Sequence, residues 1–211
     1  MNELMIYGDI GESFWGDSVT ASDVKKLLDG MDGDVTVRIN SPGGSVFDGF
    51  AIYNLLRAHN GSVTVHVDGL AASAASVIAM AGDEVIMGAA SMLMIHDPWT
   101  MAVGDSGEMR KTAETLDKIR DSIVDAYASK ASDVDREEIA RMMAEETWMT
   151  ATEAQSMGFA SKTEEGGATI SNLSRPWINS APSQEKIPDS PEANTAWRVA
   201  LQSRKLALKT K

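Results

Sequence analysis

The feature that most constrains this chain is its alternation of short apolar strands with helices. Asp34 to Asn40 sets Val35, Val37 and Ile39 against polar partners, and Ser62 to Val67 repeats the same period of two. That period predicts half-buried strands. The first strand runs into Ser41-Pro42-Gly43-Gly44, which reads as a turn. A helix from Phe47 to His59 follows, with Phe50, Tyr53, Leu55 and Leu56 on its apolar side. The second strand leads through Gly69-Leu70-Ala71-Ala72 into Ser73 to Ala81, an Ala-, Ser- and Met-rich segment that reads as a buried helix. Leu4 to Gly8, Glu84 to Met87 and Met92 to Ile95 read as further strands. Thr20 with Asp23 has the form of a capping box opening a helix through Leu27 and Leu28, and Thr150 with Glu153 opens a short helix ending at Gly158. Gly107 to Ser129 is a long amphipathic helix, with Met109, Ala113, Leu116, Ile123 and Tyr127 at helical spacing. Strands alternating with helices predict an α/β layered domain over residues 1–165.

Beyond that boundary the composition changes. Residues 166–195 are rich in Pro, Ser and Asn and read as a flexible linker, and residues 196–211 as a basic tail able to form a helix. From Ala193 onward there are five basic residues and no acids, whereas residues 1–192 carry 14 basic against 31 acidic residues. An acidic body argues against nucleic acid as the partner, because phosphate binding needs a basic face. With no cysteine, disulfides, thiolate metal sites and a cysteine nucleophile are excluded. No signal peptide is evident, and the longest apolar stretch, around Val77 to Met80, is far too short to span a bilayer. A soluble cytoplasmic protein without a membrane partner is expected.

The chemistry centres on Ser73 and His96. Ser73 ends an apolar strand and opens a helix among small neighbours (Ala71, Ala72, Ala74, Ala75), which permits close substrate approach. A serine hydroxyl needs a base to take its proton and an oxyanion hole for the developing charge. The helix start supplies backbone donors, Ala74 N–H first. The alternative reading of Ser73 is a plain N-cap. Ser76, one turn on, reads as structural, its hydroxyl returning to a helix carbonyl. Of the three histidines, His59 lies at a helix end and His66 on the polar side of a strand, whereas His96 stands where the strand Met92 to Ile95 emerges. Asp97 is a poor partner for His96, since neighbours on a strand face opposite ways. Glu145 and Glu146, ahead of Trp148, offer carboxylates, with the bland alternative of acids closing a helix. Of Gly43 and Gly44, one offers a second oxyanion donor and the other lets an extended substrate lie close.

Asn40-Ser41-Pro42-Gly43-Gly44, Gly69-Leu70-Ala71-Ala72-Ser73 and Met94-Ile95-His96-Asp97-Pro98 together resemble, in order and spacing, the Clp protease proteolytic subunit family, from about Leu4 to Ala160. The resemblance implies a spiral of ββα units shared with the crotonases, a long handle-type helix from Gly107, and homo-oligomeric rings enclosing the active sites. It implies Ser73 as nucleophile, His96 as general base, the Gly44 and Ala74 amides as oxyanion hole, and Gly43-Gly44 as the strand that pairs with substrate. Glu146, two residues before Trp148, takes the place of the family's acid. No metal or cofactor is implied. Ile6-Tyr7-Gly8-Asp9-Ile10, Val67-Asp68-Gly69 and Glu146-Thr147-Trp148-Met149-Thr150 are similar to Clp-related proteases of tailed phages. Those resemble prohead proteases, which trim scaffold and capsid proteins in the assembling head. The expected function is therefore a serine endopeptidase of head maturation working without an ATPase, in host cytoplasm or phage head. The chain starts almost at its first strand, so the segment that contacts an ATPase ring is expected to be absent. The alternatives are a proteolytic subunit served by a host Clp ATPase, or a non-catalytic assembly protein on the same fold.

Overall fold

In the computed structural model, residues 2–13 and 17–164 are described; the linker and tail expected over 166–211 lie outside them. The elements run β1 (Asn2–Ile10), β2 (Ser18–Val19), α1 (Ala21–Leu28), β3 (Val35–Gly44), α2 (Val46–Arg57), β4 (Val63–Ala72), α3 (Ala74–Ala79), β5 (Glu84–Gly88), β6 (Met92–Ile95), α4 (Ser106–Ala128), α5 (Arg136–Ala144), β7 (Thr147–Thr150), α6 (Ala151–Ser156) and β8 (Lys162–Glu164). Among the described residues no helix is long and apolar enough to cross a membrane.

The alternating valines do what their period predicts. Val35, Val37 and Ile39 of β3 and Val63, Val65 and Val67 of β4 are all buried, while the residues between them stay partly accessible. They pair in parallel, Val35 opposite Val63 through Ile39 opposite Val67. The sheet order is β2-β1-β3-β4-β5-β8, with β6 on β4 and β7 antiparallel on β6. Both expected capping boxes form, at Thr20 and Thr150.

The strand β4 is what positions the site. Its first half pairs with β5, Thr64 to Val67, and its last three residues, Leu70 to Ala72, pair instead with β6. One strand thus serves two neighbours in succession and carries its C-terminal end out to where β6 ends.

One expectation requires correction. Ser41 to Gly44 is not a turn but the end of β3, with Gly43 and Gly44 opposite Asp9 and Ile10 of β1. The reason is conformational freedom: Gly43 and Gly44 sit at φ +96° and +146°, so the chain continues beside β1 through a register shift where an L side chain would be strained. The amphipathic stripe of α4 is buried only at its C-terminal end, through Ile123, Val124, Ala126 and Tyr127; Met109 and Ala113 are exposed in the single chain. Helix α5 is the helix that the alternative reading of Glu145 and Glu146 implied, whereas the short strands β2, β7 and β8 were not expected; β7 is only four residues long and takes its form from pairing with β6.

Candidate active site

Ser73 occupies the junction between β4 and α3 with φ +55° and ψ −125°, a conformation that costs a residue with a Cβ roughly 1–3 kcal/mol. Its side chain makes no capping hydrogen bond, so the N-cap alternative does not account for it. Instead the hydroxyl lies 2.8 Å from His96 Nε2. The two are brought together by the β4–β6 ladder: Ala72 pairs with Met94, and Ser73 N–H donates to Met94 O at 3.0 Å. His96 is then the first side chain beyond Ile95, the last residue of β6.

Gly43 lies directly against this junction. A Cβ placed on it would meet Ala72 O at 2.6 Å, Ser73 Cβ at 2.7 Å and Ala74 N at 3.0 Å. Its own amide donates to Ser41 Oγ, and the Ser45 amide donates to Ile10 O. The amides on both sides of Gly44 are therefore already engaged. Ala74 N–H, at the first position of α3, has no acceptor within its own helix.

Glu146 is near but turned away. Its amide and that of Asp97 both donate to Met143 O, each at 3.1 Å, which sets the Glu146 backbone beside the residue that follows His96. Glu146 has φ +51°, and its carboxylate accepts the indole N–H of Trp148 at 3.2 Å. No hydrogen bond or ion pair joins Glu146 to His96 in the single chain, so the expected third link is not formed here. The physical reason is local competition: Trp148, two residues on, offers a donor that holds the carboxylate. Glu145 closes α5 as its C-cap and pairs with Arg141. Asp97 does not engage His96 either; its buried Oδ1 has no partner.

The other histidines behave as read. His59 Nε2 lies 2.7 Å from Gly33 O at the end of α2. His66 sits on the polar side of β4, 3.6 Å from Glu164, and burial holds its pKa below the usual imidazole value. Ser76 returns its hydroxyl to the Ser73 carbonyl at 2.6 Å, and it also meets Tyr127, which the sequence did not reveal. Among the described residues no His, Asp and Glu group is arranged to hold a metal ion.

Ser73 and His96 open into a groove of about 720 Å³, whose wall includes Pro42, Phe47, Trp99, Leu116 and Ile119. These apolar side chains share the lining with the hydroxyl-bearing Ser45, Thr100, Thr112 and Thr115 as well as with Ser73 and His96. The contribution of α4 to the wall was hidden in the sequence, because Leu116 and Ile119 carry the same periodicity as ordinary core positions.

A family model described as Clp protease matches residues 17–165. The ATP-dependent Clp protease proteolytic subunit of Ligilactobacillus salivarius is 36% identical over 160 residues, covering 74% of this chain and 79% of that protein. Its counterpart from Leuconostoc citreum is 38% identical over 154 residues, covering 68% and 75%. The chain spans 57% of the length of the Bacteroides thetaiotaomicron subunit, with 34% identity over 127 residues. Among solved structures, a mutant ClpP1 from Listeria monocytogenes superposes with a TM-score of 0.66 at 25% identity, over 78% of this chain and 91% of that one.

Proposed function

Because this chain belongs to the Clp protease family, we propose that it is a serine endopeptidase with Ser73 as nucleophile and His96 as general base. The observation that carries the reading is the 2.8 Å contact between His96 Nε2 and the Oγ of a serine in a strained strand-to-helix turn. In this mechanism Ser73 Oγ attacks a peptide carbonyl while His96 Nε2 takes its proton. The amides of Gly44 and Ala74 hold the oxyanion of the tetrahedral intermediate. Collapse breaks the C–N bond, with His96 returning the proton to the leaving amine, and water then hydrolyses the acyl-serine by the same base. The Gly43-Gly44 segment that ends β3 pairs with the extended substrate.

Glu146 acts as the acid that orients His96 once its side chain leaves Trp148. Its backbone lies beside Asp97, since both amides donate to Met143 O, and this supports that role. The exposed Trp99, Met101, Val103 and Met109 support assembly with further copies into a ring.

The relatives are named ATP-dependent proteolytic subunits, which supports the reading that a Clp ATPase feeds this enzyme protein substrates in the cytoplasm. The similarity of short segments to phage prohead proteases supports a second reading, ATP-independent cleavage of scaffold and capsid proteins. The test is twofold. Fluorophosphonate labelling should reach wild-type protein and be abolished in Ser73→Ala; labelling retained in that variant sinks the nucleophile. Degradation of a folded substrate that depends on ATP and a Clp ATPase supports the first setting, and cleavage of co-assembled scaffold without ATP supports the second.

A further inference from the structure

Beneath Ser73 runs a line of hydrogen bonds that takes no part in proton transfer. Ser76 is fully buried, with its Oγ 2.6 Å from the carbonyl oxygen of Ser73 and 2.8 Å from the phenolic oxygen of Tyr127. A carbonyl can only accept and a hydroxyl has one proton, so the Ser76 proton goes to Ser73 O. Tyr127 must then be the donor to Ser76. The line therefore has a single direction, from the Tyr127 hydroxyl through the Ser76 hydroxyl to the Ser73 carbonyl. Tyr127 is itself 1% exposed, packs edge-on against Phe159, and burial pushes its phenol well above the usual range, keeping the donor protonated. The Ser73 carbonyl also receives the amides of Ser76 and Val77. Its amide, at the other end, is tied to Met94 O. Both peptide groups of the strained residue are thus held, one by the strand that leads to His96 and one by α3 and α4.

We propose that Ser76 and Tyr127 are positioning residues that hold Ser73 at φ +55°, the conformation that sets its Oγ on His96. This rests on the reading of Ser73 as nucleophile. Both hydroxyl protons are committed to this line, so each residue acts through the Ser73 peptide. Donors in series polarise one another, so loss of the outer one weakens the inner.

The test compares the second-order rate of fluorophosphonate labelling and the melting temperature of the full chain, wild type against Tyr127→Phe, Ser76→Ala and the double variant. Tyr127→Phe keeps the ring and its packing, and should slow labelling about tenfold, the factor that a loss of about 1.4 kcal/mol from the transition state gives. Ser76→Ala should slow it further and lower the melting temperature, because it leaves the Tyr127 hydroxyl buried without a partner. The double variant removes both polar groups. Its melting temperature should recover relative to Ser76→Ala while labelling stays slow, and peptide hydrolysis should show the loss in kcat with KM unchanged. Labelling that recovers along with melting temperature, or wild-type labelling in Tyr127→Phe, overturns the proposal. If Ser76→Ala does not fold, Tyr127→Phe alone decides it. Wild-type protein that is not labelled at all refutes the nucleophile assignment instead, before any variant is compared.

Discussion

Replacing Gly43 by alanine should damage this protein more than replacing Gly33, although both glycines have positive φ. Gly43 is at φ +96° and Gly33 at +77°, so alanine pays a left-handed penalty of about 1–2 kcal/mol at either place. They differ in space. A Cβ on Gly33 meets nothing within 4 Å, whereas on Gly43 it meets Ala72 O at 2.6 Å, Ser73 Cβ at 2.7 Å and Ala74 N at 3.0 Å. Two of those atoms are backbone and the third belongs to the constrained Ser73, so none can swing aside. Overpacking of that kind adds about 1–3 kcal/mol. Gly43→Ala is therefore expected to lose about 2–5 kcal/mol in all. Gly33→Ala carries only the first of these penalties, about 1–2 kcal/mol, and reduced freedom of the unfolded chain offsets part of the cost equally in both variants. Urea denaturation followed by tryptophan fluorescence measures the difference, and fluorophosphonate labelling measures the site. Gly43→Ala should also lose labelling under conditions where it is still folded, because relief of the clash moves Ser73 or the Ala74 amide. Gly33→Ala should label at the wild-type rate. Equal stability losses with wild-type labelling in both would refute the claim that Gly43 is packed against the Ser73 junction.

Trp148→Phe removes the indole donor that holds Glu146 and should raise the labelling rate several-fold, whereas Glu146→Gln should lower it; a fall in Trp148→Phe would count against the orienting role. His66 has its pKa lowered, first by burial and then by Arg38 and Lys162, against the opposing pull of Glu164 and Asp68. Its folded value lies below the unfolded value of 6.5, so the stability it contributes is complete above pH 6.5 and is lost as pH falls through the depressed value. His66→Asn should flatten the urea midpoint of the wild type in that acid window, and parallel curves would refute it. Thr150→Ala removes the cap that accepts Glu153 N–H and should cost about 0.5–2 kcal/mol by urea denaturation, with the Ser73–His96 contact intact by labelling.

Much of the fold was legible because it rests on local rules. The alternating valines of β3 and β4 and the capping boxes at Thr20 and Thr150 are set by a residue's near neighbours. Ser41 to Gly44 misled for the same reason: Pro-Gly-Gly signals a turn locally, and only the presence of β1 alongside makes it a strand. Strand β7 was invisible because four residues carry too little pattern, and β6 supplies its hydrogen bonds.

For the site, the sequence by itself determined which groups exist: one serine at a strand-to-helix junction among small residues, one histidine at a strand end, glycines where L side chains would clash, and an acid two residues before a tryptophan. Only the tertiary structure decided which of these meet. The 2.8 Å contact of Ser73 with His96 depends on β4 changing neighbours from β5 to β6 midway along its length. The burial of Tyr127 against Ser76 depends equally on how α4 comes to rest. Propensity and periodicity act over a few residues and set the direction of a side chain relative to its own backbone. Distances between side chains twenty to fifty residues apart are set by sheet register and helix packing, which belong to the folded chain as a whole.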